Sequence, residues 1–193
     1  MRHPIRRSPV ICALVLSLSV PVGAALAQAP ASLAPRSVVA LDVALYTAGA
    51  NLQEASDSAR AALATTVLRG RLAELLGPAL ADSVAVRRLA RAPQIRETAG
   101  DHPCNVIVAC ARSVGRDLGA TWVVMAKVSK TSNLIWLLTG QLINVGSGKI
   151  VLDDSTELKG DPEPMIRAGV RIFAERVARA VSEAAPSPRA RRR

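Results

Sequence analysis

Between Thr121 and Leu158 three apolar runs follow one another with almost no chain between them. They are TWVVMAKVSK (121–130), LIWLLTGQLINV (134–145) and the run from Lys149 to Leu158. Only short polar turns separate them, at Ser132-Asn133 and at Gly146-Ser147-Gly148. A parallel crossover needs roughly a dozen residues or more, so turns this tight can join only antiparallel neighbours. The segment predicts a three-stranded antiparallel meander, and the rest of the chain must pack on it.

The first half supplies the remaining layers. Val38 to Tyr46 (VVALDVALY) is a short, bounded apolar run broken by Asp42, which suggests a buried strand. From Ser58 to Leu76 the residues Leu63, Val67, Leu68, Leu72, Leu75 and Leu76 recur at three and four, an amphipathic helix ended by Gly77-Pro78. Ser83 to Arg88 alternates weakly through Val84 and Val86, which predicts a short strand near an edge. Pro93 to Ala99 reads as a helical turn or short helix, and Gly100 to Pro103 as a loop. Asn105 is placed to cap a helix over Val106 to Leu118, with Ile107, Ala111, Val114 and Leu118 inward and Gly119 closing it. Asp161-Pro162 is an N-cap followed by proline at the first helical position. Ile166, Val170, Phe173, Val177 and Val181 then form one stripe along a last helix. Helix-joined strands can be parallel and turn-joined strands must be antiparallel. The expectation is an α/β (α+β) fold: one domain with a mixed five-stranded sheet, an antiparallel C-terminal meander, and helices packed on the sheet. The expected core places Ile166, Val170, Phe173 and Val177 over Val39, Leu41, Val123, Val124, Leu137 and Ile143.

The two ends have a different character. Arg2, Arg6 and Arg7 precede an apolar run from Val10 to Val22, and Ala25-Leu26-Ala27 offers a small-x-small cut site. Residues 1–27 are expected to be an export signal cleaved between Ala27 and Gln28. A retained N-terminal anchor is the alternative, although the run falls short of the ~20 residues a span needs. Arg6-Arg7 leaves both ordinary secretion and the twin-arginine route open. Cys12 sits inside the apolar run, so it offers no lipidation site after the cut. Residues 28–36 read as a linker, 37–184 as the domain and 185–193 as a disordered tail. That tail carries Arg189 and Arg191 to Arg193, part of a formal net charge of +10. It can touch anionic lipid weakly through electrostatics, or simply be solvated. With Tyr46, Trp122, Trp136 and Phe173 its only aromatic residues, the chain lacks the rings of a nucleic-acid or carbohydrate stacking platform.

Candidate chemistry is sparse. Export leaves Cys104 and Cys110, and an even pair in an oxidising compartment is expected to form a disulfide. Six residues of regular helix would hold the two α-carbons ~9 Å apart, beyond the ~7 Å a bridge tolerates. Cys104 must therefore precede the helix and fold back onto its first turns. With His102 the pair falls short of a four-ligand zinc site, and its spacing is not that of a redox motif. Asp42 is either a buried acid with a shifted pKa or a residue that caps a neighbouring loop. Asp153, Asp154 and Glu157 are either a cation site or the wet face of a hairpin strand. Ser129, Lys130, Thr131, Ser132 and Asn133 form a polar turn, and a serine near a lysine can make a nucleophile pair. No oxyanion or elbow signature accompanies it, and there is no phosphate loop or dinucleotide fingerprint. No catalytic residue, cofactor or metal is expected.

Cys104, Cys110, LGATWVVMAKVSKTSNLIW (118–136), INVGSGKIV and ELKG together resemble an uncharacterised family of exported bacterial proteins with a domain of unknown function. In that family a cysteine pair precedes an LGAD-VV-G-V-KVSNLI strand pair, then a D-TG and a final RG and helix. Here Thr121 stands for the usual acid, Ala126 for a glycine, and Asp161-Pro162-Glu163-Pro164 for a more helical acidic stretch. More distantly the layout is similar to the TolB N-terminal domain and to CsgG-like envelope proteins. The resemblance spans Val38 to Val181 and implies a fold rather than an activity. The functional expectation is a secreted, periplasmic binding or assembly module of the cell envelope with no catalytic activity and an envelope protein as partner. The alternatives are a small-ligand-binding protein and an unrecognised hydrolase.

Overall fold

In the computed structural model, residues 37–47, 54–132 and 134–184 are described. The signal, its cut between Ala27 and Gln28, the linker, Asn133 and the basic tail lie outside them. The sheet comprises β1 (Val38–Ala40), β2 (Ala44–Thr47), β3 (Trp122–Lys130), β4 (Ile135–Asn144) and β5 (Ile150–Lys159). Helices α1 (Ala55–Leu76), α2 (Ser83–Ala90), α3 (Pro93–Arg96), α4 (Val108–Asp117) and α5 (Pro162–Glu183) pack against it. β1 and β2 both run parallel to β3, while β3, β4 and β5 form the antiparallel meander. The result is a mixed five-stranded α/β sheet in a single domain.

The strand count is reached differently from the sequence reading. Ser83 to Arg88 is helix, not strand: the Asp82 carboxylate accepts hydrogen bonds from the Val84 and Ala85 N–H groups and caps α2. Val84 is 65% exposed and only Val86 is buried, so the apparent alternation is a single inward residue on a short helix. The chain does touch the sheet nearby, through a single parallel bridge between Leu80 and Val38. The fifth strand comes instead from Val38 to Tyr46, which is split in two. Ala40 pairs with Val124 but Ala44 with Lys127, so one extra residue bulges out around Asp42.

The helices form two layers. α1 and α5 cover one face, where Leu68, Leu72, Ile166, Val170, Phe173 and Val177 pack on Val38, Val124, Trp136, Leu138 and Leu142. On the other face α2, α3 and α4 bring Val86, Ile95, Ala111 and Val114 onto Val39, Leu41, Val123, Met125 and Ile143. The expected core therefore divides: Val39, Leu41, Val123 and Ile143 face away from α5. Alternation along β4 buries Trp136 and Leu138 and leaves Leu137 only half-buried. Asp161 caps α5 as expected, accepting from the Glu163 N–H at 3.4 Å. Asn105 does not cap α4. Cys104–Val106 is a turn of 3-10 helix, and Ile107 occupies the cap. The Asn105 side chain bonds elsewhere, to the bulge.

Candidate functional site

The bulge organises the site. Val43 donates its N–H to Thr65 Oγ1 of α1 at 2.9 Å, not to the sheet. Asn105 Nδ2 donates to the Asp42 carbonyl at 2.9 Å. Arg69 Nη2 donates to the Ala40 carbonyl at 3.1 Å and lies 3.0 Å from Asp42 Oδ1. Side chains from α1 and from the 3-10 turn thus satisfy the polar backbone that the bulge frees. Asp42 is 38% exposed and pairs with Arg69, so it is not a buried acid; its carboxylate caps no loop among the described residues, and Asn105 ties the bulge through the Asp42 backbone carbonyl instead.

Cys104 and Cys110 are bonded, with α-carbons 5.1 Å apart. Cys104 lies in the 3-10 turn and folds back on the first turn of α4. The bond holds Pro103 and Asn105 against the bulge. There they form one wall of a cavity of about 280 Å³ that Asp42, Arg69, Arg87, Arg91 and Arg96 also line. A shallower groove of about 480 Å³ continues from it along Val43, Leu45, Ala61 and Thr65. Burial pulls the Arg69 guanidinium below its ordinary value; Asp42 opposes this and nearby Arg87 adds to it. Arg69 Nε and Nη1 are buried without a hydrogen-bond partner.

A second polar cluster closes the carboxyl end of β3. Lys130 is 1% exposed; its Nζ lies 2.8 Å from Glu54 Oε1 and 3.5 Å from Asp57 Oδ2. Asp57 is fully buried, accepts from the Glu54 N–H at 2.9 Å and pairs with Arg60 at 2.7 Å. Arg60 also stacks 5.4 Å from the Trp136 ring centroid. The Lys130 hydrogen bond holds the Glu54 carboxyl below its ordinary value. Burial pushes Asp57 up, but the Glu54 N–H, Arg60 and Lys130 together bring it below its usual range. This knot joins the start of α1 to the end of β3.

The other sequence candidates are dispersed. Ser129 and Lys130 are consecutive strand residues and point to opposite faces, so they make no nucleophile pair. His102 is exposed. Asp154 pairs with Arg176 of α5 at 2.6 Å, while Asp153 accepts from Gln141 on the opposite face of β5. Among the described residues no group of three or more His, Cys, Asp or Glu could hold a metal ion. Sequence reasoning missed the arginine set and the knot. The arginines were visible as Arg87 and Arg91, four residues apart, with Arg96 five further on, and the knot as Glu54 and Asp57 opening a helix.

Residues 36–177 match the family described as "Protein of unknown function (DUF2380)". No curated protein matches the chain. Among solved structures it is similar to the LpoB C-terminal domain from Salmonella enterica, at 22% identity over 65% of this chain and 84% of that one, with a TM-score of 0.43. The corresponding domain from Escherichia coli is 23% identical over 68% of this chain and 87% of that one, with a TM-score of 0.44. TolB from Acinetobacter baumannii is 12% identical over 79% of this chain and 30% of that one, also with a TM-score of 0.44. Among the described residues no helix is long and apolar enough to cross a membrane.

Proposed function

Because the chain belongs to this family, whose description carries no activity to transfer, we propose from its own geometry that it is an exported, non-catalytic assembly module of the cell envelope. It docks a protein partner through the free edge of β5. Export rests on the N-terminal signal pattern and on a cysteine pair suited to an oxidising compartment.

The observation that carries the reading is that edge. β5 is ten residues long and pairs only with β4; among the described residues nothing pairs with its outer side. The Gly160 N–H donates to the Leu134 carbonyl. Alternation from that bond turns the N–H and C=O groups of Asp153, Ser155 and Glu157 away from β4. Such an edge is a template for an added strand. Val151, Asp153 and Glu157 lie on its exposed face, so the matching segment is extended, with an apolar residue and basic residues at alternate positions.

Amide exchange on isotope-labelled protein tests this. The Asp153, Ser155 and Glu157 amides should exchange fast alone and become protected when solubilised envelope extract is added. Ser155→Pro removes an outward N–H without touching the β4 ladder, and should abolish protection at Asp153 and Glu157 while leaving the melting temperature within a few degrees. Unchanged exchange in extract would defeat the reading.

A further inference from the structure

We propose that the arginine-lined cavity beside the bulge is a binding site for a phosphate-bearing anion. Four guanidinium groups, Arg69, Arg87, Arg91 and Arg96, line about 280 Å³, and Asp42 is the one carboxylate among the lining residues. Asp42 is already engaged by Arg69. Arg87 has a single weak contact, Nη2 to Ser83 Oγ at 3.4 Å. Arg91 and Arg96 make no ion pair or side-chain hydrogen bond among the described residues, and both are exposed. Four cations crowded into a concavity with one carboxylate repel one another, and an oxyanion relieves that repulsion.

A second observation points the same way. Arg69 Nε and Nη1 are buried and bond to nothing. Buried donors are normally satisfied, so Arg69, which lines the cavity, carries donor capacity that the protein leaves unfilled. The walls hold their places before any ligand arrives. Asn105 is bonded to the Asp42 carbonyl and fixed by the neighbouring Cys104–Cys110 bond, and Arg69 is anchored on Ala40. The cavity lies just past the carboxyl end of β1, the kind of crevice where open α/β sheets take ligands. The adjoining groove, floored by Val43, Leu45 and Ala61, gives room for a less polar body behind the phosphate. This site is on the sheet edge opposite β5, so it is independent of the docking edge.

Inorganic pyrophosphate is the probe, titrated into the purified protein by calorimetry. One saturable site is expected. Arg91→Gln with Arg96→Gln should weaken it about tenfold or more, the range for losing charge-assisted hydrogen bonds. Both side chains are exposed and unbonded, so the melting temperature should hold. Arg167→Gln with Arg171→Gln, exposed on α5, should leave binding unchanged. Sedimentation with phosphatidylglycerol vesicles, against phosphatidylcholine vesicles, separates the sources. Vesicle binding displaced by pyrophosphate and lost with Arg91 and Arg96 assigns a lipid headgroup. Pyrophosphate binding with no such vesicle binding assigns a soluble phosphate ester. No saturable binding, or equal loss in the two double variants, overturns the proposal.

Discussion

Lys130 and Asp57 show how a charge can be held inside this fold. An isolated buried ion is expensive, and here each has a partner within bonding distance. Removing one partner leaves the other uncompensated. Asp57→Asn should therefore cost about 3 kcal/mol, the lower end for breaking a buried pair, because Glu54 still meets Lys130. Urea unfolding at neutral pH measures it. The same residue sets an acid limit. Its folded carboxyl titrates below the ordinary 3.8, so on acidification the unfolded chain takes up the proton first. The contribution is complete above pH 3.8 and is lost as pH falls through the folded value. Wild-type stability should fall over that acid range, and the Asp57→Asn protein should lose less; equal slopes would remove Asp57 from the account. Lys130 was legible in the sequence only as part of a polar turn. A strand lysine is ordinarily wet, and nothing local says that α1 begins above it. Asp42 was easier, since a lone acid in a nine-residue apolar run demands a break or a partner, and the bulge with Arg69 supplies both.

Elements were legible wherever their own periodicity decided them. The meander, α1 and α5 follow from turn chemistry and from stripes long enough to outweigh local accidents. α2 did not, because eight residues with one buried side chain carry too little periodicity to tell a helix from an edge strand. Its deciding signal was Asp82 two and three residues before the N–H groups it caps. The face each strand residue takes was also out of reach of the stripe on α5 alone. That stripe says what is buried, not which side of the sheet buries it. The contact that locks α5 to β4 is specific: Phe173 lies flat against Gly140, and a Cβ there would overlap the ring. Gly140→Ala should cost about 1–3 kcal/mol through overpacking, and Phe173→Ala about 3–5 kcal/mol through the lost aromatic. Gly140→Ala with Phe173→Leu should be less destabilised than the two single changes added, by about 1 kcal/mol, since the smaller side chain admits the new methyl. Thermal unfolding of the set decides it; strict additivity would mean that the ring does not fill that space.

Across the whole molecule one sheet divides the apolar residues into two cores that share β3. Val124, Ala126 and Val128 serve the α1–α5 side, and Val123 and Met125 serve the α2–α4 side. Neither layer can be lifted off without exposing the backs of the same strand. The two halves should therefore unfold as one cooperative unit, as single domains of this size usually do. The tryptophans make this testable. Trp122 and Trp136 both belong to the α1–α5 core, so their fluorescence reports one side, while far-ultraviolet dichroism reports all helices and strands. Val114, on α4, is fully buried in the opposite core, in one cluster with the disulfide cysteines. Val114→Ala should remove about 2 kcal/mol and lower the melting temperature by roughly 5 °C. Because the strand is shared, fluorescence and dichroism should shift together, although no tryptophan lies in the altered core. A dichroism transition that moves while the fluorescence transition stays would mean that the α2–α4 layer melts by itself. The arginine cavity would then ride on a mobile layer, not on the rigid sheet edge that β1 and the Cys104–Cys110 bond provide.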